Sequence, residues 1–177
     1  MKFLHTSDWH IGKTLKGSSR LDEQEAVLAE IVGLAEQHQV DAVLIAGDLY
    51  DAAAPSADAQ RILIKTLLAL ADTGARVIAM AGNHDSPGML DAYRPLATHA
   101  GITLLGLPRA ADRGGVVTFT AQGTGETVNV GAVVGHLFEI VEVSLNQFCF
   151  IFSPKWPRLW LEKQRVPRRR GNVSEKR

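Results

Sequence analysis

The sequence predicts an α/β fold organised on a parallel sheet, and three observations carry that prediction. Short apolar runs alternate with segments whose apolar residues recur at helical spacing, in the order β-α-β-α-β-α-β over residues 2–105. Three of the runs stop at clusters of Asp, His and Asn: Asp8-Trp9-His10, Gly47-Asp48-Leu49-Tyr50-Asp51 and Gly82-Asn83-His84-Asp85. After residue 115 the alternation gives way to two strand-like runs around a polar, glycine-rich turn, which reads as an antiparallel hairpin. Alternation of the first kind implies parallel strands with helices on both faces of the sheet. The carboxyl ends of parallel strands share one edge, where ligands bind in open α/β sheets, so the three clusters are expected to meet.

Lys2–Ser7 is the first predicted strand. Gly12–Ser19 is polar and glycine-rich and is expected to be a loop. Ser19, with Asp22 three residues on, resembles a capping box, and Glu23 and Glu25 suit the start of a helix. Val27, Leu28, Ile31, Leu34 and Ala35 then share one helical face, and the helix is expected to end near Gln39. Val40–Ala46, short, partly β-branched and closed by Gly47, is the second strand. Ser56 suits the cap of a helix running to Asp72 with Ile62, Leu63, Leu67 and Leu70 buried, and Gly74 stands where a C-terminal glycine belongs. Arg76–Ala81 is the third strand. Ser86 and Pro87 suit a cap and a first helical position; the helix they open is expected to break near Pro95 and to stop at Gly101. Ile102–Leu105 is the fourth strand, and Val116–Thr120 with Val128–Val134 form the hairpin. From Gly135 on, the spacing of Phe148, Phe150, Phe152, Trp156 and Trp160 matches neither helix nor strand.

A length of 177 residues suits one domain with a real core. The single cysteine excludes a disulfide framework and a Cys-rich zinc site. The first residues lack the pattern of a signal peptide, and the longest apolar region, near Leu137–Phe152, is interrupted by Glu139 and Glu142, so a cytoplasmic protein without a membrane span is expected. A net charge of zero hides an asymmetry. Residues 1–150 hold 10 Lys/Arg against 17 Asp/Glu, a net of −7; residues 151–177 hold 9 against 2, a net of +7. An acidic body favours a cation site, and the basic end suits either contact with nucleic acid or a solvated tail.

Asp, His and Asn are oxygen and nitrogen ligands, and a mixed carboxylate–imidazole set suits Mn²⁺, Fe²⁺ or Zn²⁺. Asp8 and His10, two residues apart just past a strand, can converge on one ion; Asp48 from the next strand can bridge two, and Asn83 adds a neutral oxygen. His84 is left free for substrate. Taken singly, each cluster also has an ordinary reading as a helix cap, a strand end or a turn. Asp51 and Asp85 are either partners that orient ligands or surface carboxylates; His5 reads as strand packing, and His38 and His99 as helix-end residues.

As a series, the three clusters resemble the calcineurin-like metallophosphoesterases. The longer strings His5-Thr6-Ser7-Asp8-Trp9-His10-Ile11-Gly12, Pro55-Ser56 and Asn83-His84-Asp85-Ser86-Pro87 are similar to one branch, the SbcD-type nuclease subunits, over residues 1–134. The resemblance implies part of a four-layered metallophosphoesterase fold. It implies that Asp8 and His10 bind one ion, Asp48 bridges two and Asn83 binds the second. His84 would contact the scissile phosphate and help to protonate the leaving oxygen, with Asp85 orienting it. The implied reaction is Mn²⁺-dependent hydrolysis of DNA phosphodiesters, by exonuclease and endonuclease action, beside an SbcC-like ATPase partner. Chains of that branch are longer and carry a downstream Gly-His-x-His motif, of which Gly135-His136-Leu137-Phe138 holds half. Residues 1–134 are therefore expected to be the N-terminal part of a nuclease domain. Residues 135–177 are expected to be a divergent, basic and poorly ordered segment of a truncated or frame-shifted chain, with the SbcC-binding region missing and activity impaired. A general phosphoesterase acting on phosphomonoesters or nucleotides, and a non-catalytic remnant that binds metal or DNA, are the other readings.

Overall fold

The computed structural model describes residues 1–107, 109–121, 125–131 and 148–150. Strand β1 (Phe3–Thr6) is followed by a small hairpin of β2 (Thr14–Leu15) and β3 (Ser18–Ser19) and by helix α1 (Leu21–His38). Then come β4 (Ala42–Ala46), α2 (Ala57–Asp72), β5 (Arg76–Met80), α3 (Pro87–His99) and β6 (Thr103–Leu105). A 3₁₀ turn at Ala111–Arg113 leads to β7 (Val116–Thr120), β8 (Thr127–Gly131) and β9 (Phe148–Phe150).

The main sheet has the order β6-β5-β4-β1-β9, and all its pairs are parallel. From β1 through β4 and β5 to β6 each strand is added on the same side. Right-handed crossovers that never reverse direction put every connecting helix on the same face. The packing agrees: Leu4, Val43, Ile45, Val77, Ala79 and Leu104 share one core cluster with Leu28 and Ile31 of α1, Ile62 and Leu67 of α2 and Leu90 of α3. The expectation of helices on both faces is thereby corrected. The alternate residues, Phe3, Ala42, Leu44, Ile78 and Met80, form a second cluster with Val117, Val128 and Val130 of the antiparallel β7–β8 pair. Phe3 meets Phe119 edge-on, with ring centroids 6.2 Å apart. A helix layer, a parallel sheet and the start of a second sheet are thus stacked, as a partial metallophosphoesterase fold requires.

Several local expectations are met closely and a few are revised. Ser56 and Ser86 cap α2 and α3, accepting from the N–H groups of Ala59 at 3.2 Å and Met89 at 3.4 Å. The expected loop at Gly12–Ser19 contains the β2–β3 hairpin, closed by Lys16 (φ 49°) and Gly17 (φ 81°). Two successive residues in the left-handed region make the tight turn whose twist suits a two-residue hairpin. The capping box is corrected: Arg20 is the N-cap residue of α1 and makes no side-chain cap. Helix α3 also runs on through Pro95 to His99. Pro95 is exposed while Leu90 is wholly buried, so the packed face holds the helix across the single backbone bond that proline removes. Strand β9 occupies an edge of the main sheet, where no element was expected from the spacing. The remainder of 135–177, with Gly135-His136-Leu137-Phe138, lies outside the described residues.

Candidate metal centre

Beyond the ends of β1 and β4 the two chains remain paired. Asp8 N–H donates to the Gly47 carbonyl at 3.2 Å, His10 N–H to that of Asp48 at 2.9 Å and Ile11 N–H to that of Leu49 at 3.0 Å; Asp51 N–H returns a bond to Ile11 at 3.1 Å. The path is not extended. Asp8 (φ 56°), His10 (φ 44°) and Asp48 (φ 51°) all take left-handed backbone. Non-glycine residues held there cost on the order of 1–3 kcal/mol each, and such strain concentrates at functional sites. Two glycines bring the third cluster in. A Cβ on Gly47 (φ 82°) would stand 2.9 Å from Gly82 Cα, and one on Gly82 would overlap the Asp48 carboxylate and its backbone nitrogen. The loops after β4 and β5 touch main chain to main chain.

This frame brings Asp8, His10, Asp48 and His84 together. His10 Nε2 lies 3.9 Å from Asp8 Oδ1 and 3.8 Å from Asp48 Oδ2. Those separations are too long for hydrogen bonds, yet they fall within the roughly 4 Å between opposed donors on one ion with bonds of about 2.1 Å. The His84 ring stands edge-on to that of His10, with centroids 4.7 Å apart, and its backbone N–H donates to Asp48 Oδ1 at 3.0 Å. One donor atom from each of His10, Asp48 and His84 lies within 4.8 Å of the others. His10 and Asp48 are largely enclosed, whereas Asp8 is half exposed and accepts from the Ser7 hydroxyl. Asn83 stands exposed between Gly82 and His84 on the same loop. Nitrogen and carboxylate donors at this spacing fit a divalent cation.

A second set of residues holds these donors in place. Asp85 is buried, and its carboxylate accepts from three backbone N–H groups: Leu49 at 3.0 Å, Tyr50 at 2.8 Å and Gly82 at 2.8 Å. It ties the loop after β4 to the loop after β5. The resemblance had implied that Asp85 orients the His84 side chain; His84 Nδ1 instead lies 2.9 Å from the carbonyl oxygen of Asp51. The Asp51 carboxylate faces His10 Nδ1 at 3.3 Å, without hydrogen-bond alignment, and accepts from Lys13 Nζ, also at 3.3 Å. Gln24 of α1 grips the first loop twice, donating to the His10 carbonyl at 2.7 Å and accepting from Gly12 N–H at 3.0 Å. Sequence reasoning left out Gln24 and Lys13, because neither belongs to a motif and both act through contacts distant along the chain. Tyr50 is wholly buried beneath the site with its hydroxyl unpartnered among the described residues; burial, then the nearby Tyr93 and Asp85, push its ionisation well above the usual phenol value.

Comparison with known proteins adds to this geometry. The family model described as calcineurin-like phosphoesterase matches residues 1–174. The chain is 42% identical over 134 residues to the D subunit of the nuclease SbcCD from Bacillus subtilis, covering 75% of this chain and 33% of that protein. It is 36% identical over 105 residues to the protein of the same name in Escherichia coli K12, covering 59% and 26%. For the one in Rhodobacter capsulatus the figures are 41% over 108 residues, 60% and 27%. The matched part therefore spans between a quarter and a third of each relative.

Proposed function

This chain belongs to the calcineurin-like phosphoesterase family, and on that premise we propose that it is the N-terminal catalytic part of an SbcD-type nuclease that hydrolyses DNA phosphodiester bonds with bound Mn²⁺. The observation that carries the reading is the convergence of His10, Asp48 and His84, with Asp8 beside them, on loops fixed by their own main chain. Similarity to three relatives named as nuclease subunits favours nucleic acid over other phosphoesters. Those relatives are named as one component of SbcCD, so the partner we propose is the companion component of such a complex, an SbcC-like ATPase, in the cytoplasm. No helix among the described residues is long and apolar enough to cross a membrane.

In this reading Asp8, His10 and Asp48 would hold one divalent ion, and Asp48 with Asn83 would serve a second. Bound ions of this kind polarise phosphoryl oxygens and lower the pKa of water. The residues of the chain do the rest. A carbonyl oxygen only accepts, so the Asp51 carbonyl assigns the proton to His84 Nδ1 and leaves Nε2 for the phosphate. When the ring is charged, Nε2–H donates to a phosphoryl oxygen and can pass its proton to the leaving oxygen. Asp85 and Gln24 keep the loops from moving under the substrate.

The test is cleavage of linear duplex DNA by the purified chain in Mn²⁺, beside Asp48→Ala, with calorimetric titration of the metal. We expect Mn²⁺ to bind near one equivalent, because Asp48 and Asn83 alone are a thin set for a second ion, and we expect slow cleavage that Asp48→Ala lowers by about 100-fold. Hydrolysis of 4-nitrophenyl phosphate with duplex DNA left intact would replace the nuclease by a general phosphomonoesterase. Metal binding without turnover of either substrate would leave a non-catalytic metal-binding protein.

A further inference from the structure

A cavity of about 220 Å³ lies along the edge strand β6, between α3 and the segment that follows the strand. Its lining includes four arginines, Arg76, Arg94, Arg109 and Arg113, together with Thr98 and Thr103, and no carboxylate. Arg76 opens β5, at the end of the sheet opposite the metal loops, so the cavity is separate from the candidate metal centre. Its arginines are held unevenly. Arg76 donates to the Gly101 carbonyl at 3.3 Å and to Thr103 Oγ1 at 3.0 Å, and Arg109 donates to Asp91 Oδ2 at 3.0 Å. The Nε–H groups of both are buried without an acceptor among the described residues. Arg94 and Arg113 make no ion pair among the described residues, and Arg113 is exposed.

We propose that this cavity is an anion site that takes a single phosphate group, either free phosphate or the terminal phosphate of a mononucleotide. A guanidinium fork is matched to phosphate oxygens, and those of Arg94 and Arg113 have no carboxylate partner among the described residues, so an oxyanion seated here pairs charges the protein leaves open. Four guanidinium groups around one cavity repel each other, and the Asp91 carboxylate answers only Arg109. Drug-sized ligands occupy roughly 300–1,000 Å³, so the volume suits a phosphate head with little attached to it. The proposal does not depend on the nuclease reading, since none of these residues belongs to the metal centre.

The experiment uses chelator-treated protein, so that no bound metal competes for the anion. Inorganic phosphate, adenosine monophosphate and adenosine are titrated by calorimetry against the unaltered chain, Arg94→Gln, Arg113→Gln and, as a site control, His84→Ala. Arg94 and Arg113 make no described ion pair, and circular dichroism checks that the variants fold. The expected result is saturable phosphate binding with Kd on the order of 1 mM, weakened about tenfold by each arginine substitution and unchanged by His84→Ala, with adenosine inert. Equal affinity for phosphate and the nucleotide identifies the free anion as sufficient; binding of the nucleotide alone identifies the ester. Absence of saturable binding to either, or binding that both arginine variants retain, would overturn the assignment; its loss in His84→Ala would then place the anion at the candidate metal centre.

Discussion

Gly82 is the residue on which the geometry of the metal centre turns. Its missing side chain is the space that the Asp48 carboxylate occupies, and a methyl group there would overlap both that carboxylate and its backbone nitrogen. Gly82→Ala is therefore expected to push Asp48 away from His10 and to lower divalent-metal affinity at least tenfold, while the chain still folds. Calorimetry with Mn²⁺ beside a circular dichroism melt checks this; unchanged affinity would show that the two loops can separate without loss of the site. The meeting of Asp8, His10, Asp48 and His84 was legible in the sequence because each is polar and stands just after an apolar run. Their left-handed backbone was not, since nothing in Asp8, His10 or Asp48 marks a positive φ. Asp85 was legible as part of a motif but not in its task, because that depends on three N–H groups from two loops that meet only in the folded chain.

At the scale of elements, strand β1 lies between β4 and β9 and carries His5 within it. Burial lowers the pKa of this imidazole below its ordinary 6.5. The unfolded chain therefore binds the proton more readily than the folded one, and stability present above pH 6.5 is lost as the pH falls through the folded value. Replacing it removes that term: His5→Gln is expected to lose less stability between pH 7.5 and pH 5 than the unaltered chain, as read by urea unfolding at both values. Equal losses would remove His5 from the pH response. Helices α1 to α3 and strands β4 to β6 were legible from their apolar period, and for α2 and α3 the serine caps agree with it. The β2–β3 hairpin was not, because two-residue strands with exposed side chains carry no apolar pattern. The face on which the helices lie was also missed. It follows from strand order, which the sequence does not display.

For the molecule as a whole, a cation that binds the folded chain and not the unfolded one stabilises it by mass action, by about 2.7 kcal/mol at 100 times Kd. The three clusters come from residues 8–85, so they assemble only when the sheet has formed. Mn²⁺ is accordingly expected to raise the melting temperature by several degrees and a chelator to reverse the rise, with Asp48→Ala showing neither effect. A rise that survives in Asp48→Ala would place the stabilising ion elsewhere, for example on the acidic surface of residues 1–150, where Asp/Glu outnumber Lys/Arg by 17 to 10.

The grip of Asp85 on Leu49, Tyr50 and Gly82 also supplies a gauge of local opening. Their amide hydrogens are engaged by one enclosed carboxylate, so each can exchange with deuterated solvent only when the loops after β4 and β5 come apart. The signals of Leu49, Tyr50 and Gly82, from two separate loops, should then share one protection factor once each amide's intrinsic exchange rate is divided out, and that factor measures the free energy of opening the centre, readable without metal, substrate or turnover.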